Sequence, residues 1–326
     1  ANKAGAGRVT EMFGDFMMGA RSRLLPASVP FRFFGTAVVF HVVAWGTLLW
    51  AGDAVPGFMG GGGPALAALH LITLGVLAMV AMGASYQLLP VATKRPVRSE
   101  AACKLSHGLM APGVLLLAFG FATLQSWALH GGMLLTVLGA GVFAVMIMDN
   151  LRRVDDLPLV TGHAWLAMAS LVALLVLGVL LAADFNVGFL SNRPSLAAAH
   201  AVAGGYGFMG MLAMGFSYVL VPMFSLAQLP RKPFGVWALR LSALALASGF
   251  VGALSGLGAF DWLGIASGLA AVGLYLEMMR LTLKSRMRRS LGLSFVLVRV
   301  GWAALVVSLV AVSYTHLAGD SQMTLP

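Results

Sequence analysis

The sequence predicts an all-α, polytopic integral membrane protein with about nine transmembrane helices, and three observations predict it. Apolar residues fill 60% of the 326 positions and charged residues only 10%, against roughly 25% charged in a soluble domain. Stretches long enough for the roughly 20 mostly apolar residues of a bilayer-spanning helix fall at 31–52, 64–91, 101–124, 127–151, 159–183, 194–228, 234–256, 259–283 and 292–317. When these nine are threaded in order, 20 of the 21 basic residues share the side of residue 1 and only Arg193 falls opposite. Cytoplasmic loops carry the excess of Lys and Arg, so the amino terminus is expected in the cytoplasm of a bacterium, the chain lying in its inner membrane.

Each connection supports the count. Lys3, Arg8, Arg21, Arg23 and Arg32 precede or open the first span; Lys94, Arg95, Arg98 and Lys104 follow the second, and Arg152 and Arg153 the fourth. Arg231, Lys232 and Arg240 follow the sixth, and a run from Arg280 to Arg299 surrounds the eighth-to-ninth connection. One helix more or fewer in the middle would scramble this alternation. Within residues 1–30, Val9, Met12, Phe13, Phe16, Met17, Ala20 and Leu24 recur at helical spacing beside arginines. That pattern reads as an amphipathic helix in the cytoplasmic interface or as a contact with another subunit. The same segment has no apolar core followed by a cleavage site, so it is not read as a secretory signal. Residues 318–326 read as an outer-side tail.

Composition also excludes chemistry. The one cysteine, Cys103, rules out an internal disulfide and cysteine-based zinc or iron–sulfur ligation. The net charge of +10 is accounted for by basic loops, and nucleic acid is not expected as a partner. Gly60–Gly63 leads into Pro64 without a preceding strand, which is no phosphate-binding context. No serine–histidine–acid or paired-carboxylate arrangement stands out, and independent catalytic activity is not expected.

The second and sixth spans resemble each other. One opens Pro64-ALAAL-His70 and runs to Met82-Gly83-Ala-Ser85-Tyr86-Gln-Leu88-Leu-Pro90. The other opens Pro194-SLAAA-His200 and runs to Met214-Gly215-Phe-Ser217-Tyr218-Val-Leu220-Val-Pro222. Proline suits the first turn, where its missing N–H costs nothing. Each histidine lies six residues, about 9 Å, along its helix. The offset of about 130 residues spans four helices, so 31–151 and 159–283 read as two four-helix repeats, with 292–317 starting an incomplete third. Four spans return the chain to its starting side, which makes the repeats parallel.

The string His70-x4-Gly75, Met82-Gly83-x-x-Tyr86-x-x-Leu89-Pro90 and a basic loop resembles the second helix of subunit I-like proteins of the heme–copper oxidase superfamily. The cbb3-type oxidases and the nitric-oxide-response membrane proteins are the most similar in layout. That superfamily is built from four-helix units, and the resemblance implies that His70 matches a heme ligand and His200 a copper ligand. Two departures stand against an oxygen-reducing centre: no tenth helix follows to supply the second heme histidine, and the span at 234–256 contains no histidine pair.

A histidine inside a span must face protein, a cavity or a ligand, and neutral imidazole is a common axial ligand of heme and a good ligand of copper. His70 and His200, at equal depth in the repeats, are the leading pair, with heme b ahead of copper. The other reading makes them packing residues, relics of an ancestral site, with no cofactor at all. His130, His41 and His316 are weaker candidates; His41, His107 and His163 read as helix–helix hydrogen-bonding residues. Tyr86 and Tyr218 read as packing residues near the interface, and Met82, Met209, Met211 and Met214 as gap-fillers rather than copper ligands. Arg299, inside the ninth span, is expected to snorkel inward or to pair with Glu277. The expected function is a heme-binding membrane subunit related to oxidase subunit I, serving electron transfer or nitric-oxide and heme–copper metabolism, with other membrane subunits or further copies as partners. The alternatives are a cofactor-free structural or assembly subunit and a carrier for a small solute or metal.

Overall fold

Long apolar runs with few charges leave the backbone no partner but itself, and helices form where the composition requires them. The structure, a computed structural model, describes residues 24–58 and 60–322, with only the backbone given at 186 and beyond 311. Residues 1–23 of the interfacial segment lie outside the described residues, as do the end of the tail and the side chain of His316. Among the described residues, nine helices are long and apolar enough to cross a bilayer, and the chain is a multi-pass membrane protein. They are α1 Ser28–Ala51, α2 Pro64–Thr93, α3 Glu100–Thr123, α4 Ser126–Leu151, α5 Pro158–Val187, α6 Arg193–Ser225, α7 Phe234–Ser255, α8 Gly258–Lys284 and α9 Gly292–Gln322. The spans expected from the sequence end within a few residues of these bounds. The largest shortfalls are at the far ends of α5 and α9.

The chain divides into two compact units. One holds the residues up to Leu157 with Met168–Ser191, the other Pro158–Ala167 with the residues from Asn192 onward. The division falls inside α5, a single unbroken helix.

In the first unit, α1 lays Val29, Phe33, Ala37, Phe40 and Ala44 along α2 at spacings of three or four residues, the ridge that packs one helix on another. Two rings meet glycines across it. A Cβ on Gly75 would lie 2.7 Å from the Phe40 ring, and one on Gly83 2.9 Å from Phe33 Cβ. Helices α3 and α4 form a hairpin joined by Leu124 and Gln125, packed backbone to backbone through Gly113 and Gly120 on one side and Gly132 and Gly139 on the other. In a bilayer, where lipid is as apolar as leucine, such small-residue seams are what lets helices approach.

The α2–α3 connection is fixed by α4. Asn150, fully buried, donates from Nδ2 to the Arg95 carbonyl at 2.7 Å and accepts from Thr93 Oγ1 at 3.0 Å. Around it, Asp149 pairs with Arg98 and Arg153, and Arg153 also donates to the Pro96 carbonyl. In the second unit α7 and α8 form the corresponding hairpin, α6 packs on both, and α9 adjoins α8. The α8–α9 connection folds back on the end of α6, with Met287 N–H on the Leu226 carbonyl and Arg288 N–H on the Ser225 carbonyl.

Candidate cofactor site

The residues singled out by the repeated motif occupy matching places, one set in each unit. Pro64 opens α2 and Pro194 stands in the first turn of α6. His70 and His200 follow, both half-buried. Directly beyond His70 the helix widens into a π-helical stretch, Leu71–Ala78, and just beyond His200 into another, Ala203–Gly210. Eight residues is long for a π segment; most are single turns, and they occur often at functional sites. Pro90 and Pro222 lie inside their helices, which run three residues further and end in left-handed Lys94 and Leu226. Each helix absorbs its proline and stops one turn later, where the sequence expected the spans to end at 91 and 228.

His70 is held in one orientation. Its Nδ1 lies 3.0 Å from the Leu66 carbonyl, which can only accept, so Nδ1 carries the proton and the Nε2 lone pair is left for another partner. The ring rests on Phe121 of α3 with centroids 4.7 Å apart. A backbone carbonyl on one ring nitrogen is the outer-shell arrangement that fixes a ligating imidazole. His200 sits in the other unit and has interactions of its own within the fold. His130 stands half-buried in the second turn of α4.

Two histidine expectations need correction. His41 makes no bond across helices; it is exposed and accepts from Trp45 Nε1 at 2.7 Å, one turn along α1. His163, fully buried, donates from Nδ1 to the Leu159 carbonyl of its own helix at 2.7 Å. His107 does bridge helices, its Nε2 lying 2.8 Å from Thr36 Oγ1 of α1. Glu277 does not await Arg299: both its oxygens are 2.7 Å from Arg280 on the same helix, and Arg299 is exposed on α9.

Tyr86 and Tyr218 are buried, each at the centre of an aromatic trio. Tyr86 meets Phe33 of α1 at 5.7 Å and Phe143 of α4 at 5.3 Å. Tyr218 meets His163 of α5 at 5.3 Å and Tyr275 of α8 at 5.9 Å. Tyr86 shares a hydrogen bond with Ser106 at 3.0 Å. Tyr275 shares one with Ser217 at 2.8 Å and accepts from Trp302 Nε1 at 2.9 Å. The sequence motif gave the tyrosines but not their partners, which come from helices with no shared string. Met82, Met211 and Met214 are buried in the packing, and Cys103 is a buried free thiol. Among the described residues no three His, Cys, Asp or Glu side chains gather as metal ligands.

Comparison with protein-family models, with curated proteins and with solved structures returned no match.

Proposed function

We propose that this chain is a heme-binding subunit of a bacterial inner-membrane assembly serving electron transfer or nitric-oxide and heme–copper metabolism, with His70 and His200 as the ligand-bearing positions. The observation that carries the reading is the geometry of His70. Its proton is committed to the Leu66 carbonyl, its ring is braced by Phe121, and its second nitrogen remains a lone pair in the opening turns of α2, Pro64–His70, which are otherwise apolar. Heme, when bound, supplies one-electron chemistry; the chain supplies the axial nitrogen, its orientation and an apolar surround that sets the potential.

The reading includes a parallel repeat of two four-helix units, an amino terminus in the cytoplasm, and assembly with other membrane subunits or further copies. Several correspondences support the repeat. Phe33 and His163 are 130 residues apart, Tyr86 and Tyr218 132, and Phe143 and Tyr275 132. Gly83 faces Phe33 Cβ and Gly215 faces His163 Cβ at nearly the same constructed distance, 2.9 and 3.0 Å. The π stretches and the left-handed residues at 94 and 226 keep the same offset of 132.

Reduced-minus-oxidised visible spectra of protein purified from its native membrane in mild detergent test the heme. The expected result is a Soret band with sharp reduced α and β bands. In His70→Ala the six-coordinate signature is lost and heme content drops at least about tenfold, since even outer-shell partners are worth 10–100-fold. A featureless, metal-free spectrum from folded protein sinks the proposal and leaves the structural-subunit reading, to be pursued through whatever complex co-purifies.

A further inference from the structure

The second unit contains two buried polar atoms that no protein group satisfies, carried by neighbouring rings. His163 Nε2 and Tyr218 Oη have no hydrogen-bond partner, their residues are 0% and 4% exposed, and their rings are in contact across α5 and α6. The bond from His163 Nδ1 to Leu159 makes Nε2 an acceptor. Tyr275 does not serve the Tyr218 hydroxyl. Ser217 spends its proton on the Met214 carbonyl at 2.7 Å, so Tyr275 donates to Ser217 and accepts from Trp302. That leaves an acceptor and a hydroxyl on neighbouring rings whose centroids are 5.3 Å apart, among apolar residues, where an unmet polar group keeps its full desolvation cost.

The matching position in the first unit shows how the pair arises. There the tyrosine hydroxyl bonds Ser106 and the ring beside it is Phe33. At the same offsets the second unit has Ala238 for the serine and His163 for the phenylalanine. One change takes away the hydroxyl's protein partner; the other brings in a nitrogen lone pair. Other unsatisfied hydroxyls, on Ser85 and Thr136, stand on helices, where rotation onto a carbonyl one turn back satisfies them. Neither ring at 163 and 218 has that recourse.

We propose that His163 and Tyr218 form an internal binding site for one water molecule, which donates to His163 Nε2 and is hydrogen-bonded by the Tyr218 hydroxyl. No large polar ligand is needed: two groups on adjacent helices supply two of the two to four partners that a buried water takes. The site gives His163 a partner for its second ring nitrogen near the start of α5, where the first unit has a phenylalanine. It is independent of His70 and His200, so failure of the heme reading leaves it standing.

The test is infrared difference spectroscopy of the full chain in lipid nanodiscs, exchanged between ordinary and oxygen-18 water. The expected result is an O–H stretching band from an isolated internal water that shifts with the isotope. It is abolished in both His163→Phe and Tyr218→Phe and kept in Tyr86→Phe. His163→Phe installs the residue that the first unit carries at this place, so folding is preserved; its thermal midpoint is expected to fall or hold. Wild-type protein labelled with nitrogen-15 at histidine adds a reading that needs no variant: a protonated Nδ1 and an Nε2 hydrogen-bonded to water. Absence of the band in the wild type, its survival in both variants, an unbonded Nε2, or a higher midpoint in His163→Phe would overturn the proposal.

Discussion

Gly132→Ala is expected to cost about 3 kcal/mol or more, while Gly141→Ala on the same helix is expected to be neutral or slightly stabilising. The added methyl at 132 would run into the backbone of Leu117 on α3, whereas at 141 it meets nothing within 4 Å. A clash with a flexible side-chain tip is relieved by a rotation. A clash with backbone forces two helices apart along their length and forfeits every contact in the seam, the severe end of overpacking. At Gly141 only propensity operates, and alanine is the better helix former by up to about 1 kcal/mol. Gly120→Ala should behave as Gly132→Ala does, since its methyl would meet the backbone of Leu129. Thermal unfolding of the purified variants in detergent, read by the fraction remaining monodisperse after heating, separates the two classes. Equal midpoints for Gly132→Ala and Gly141→Ala would show that the seam is not close-packed.

The second large effect is expected at Asn150→Leu, about 2–3 kcal/mol. The substitution keeps the branched heavy-atom skeleton and deletes both bonds, leaving the Arg95 carbonyl without its donor while Thr93 retains the Leu89 carbonyl. An unsatisfied carbonyl carries its full desolvation penalty. The neighbouring ion pairs compensate little: Asp149 is about a quarter exposed and Arg98 about two thirds, and such pairs contribute about 0–1 kcal/mol. The damage is local and can be read locally. Trypsin should cut after Lys94 and Arg98 faster in Asn150→Leu than in the wild type, and Asp149→Asn should change the rate far less. If cleavage is unchanged, the buried amide is not what holds the loop.

Much of the architecture is legible in the sequence because the membrane leaves few options. A run such as 64–91 has no soluble use, and the basic residues at 94–98, 152–153 and 231–232 punctuate the runs. The nine spans follow from those two facts alone. The tyrosines at 86 and 218 are equally legible, as repeated letters. Their neighbours are not, because Phe143 and Tyr275 lie on helices whose sequences do not resemble each other, and pairing across helices is a three-dimensional fact. His163 shows the limit most clearly. A lone histidine in an apolar span reads as a helix–helix bond, and the signal that it differs is the loss of a serine at position 238, 75 residues away. The π stretches have no sequence signature at all; Leu71–Ala78 contains one glycine and Ala203–Gly210 four.

The two-residue connection between α3 and α4 bears on how the chain assembles. Leu124 adopts a left-handed conformation with φ 59°, so the chain reverses between Thr123 and Ser126 with almost no loop to order, and loop-closure entropy is at its least. The pair is therefore able to associate as soon as both helices are in the bilayer, in the second stage of membrane folding, where inserted helices find one another. Other ties in that unit join residues further apart in the chain: Gly63 N–H reaches the Phe121 carbonyl, and Asn150 reaches back to Arg95. The hairpin is in this sense a template with its final surface already formed, onto which the earlier helices close.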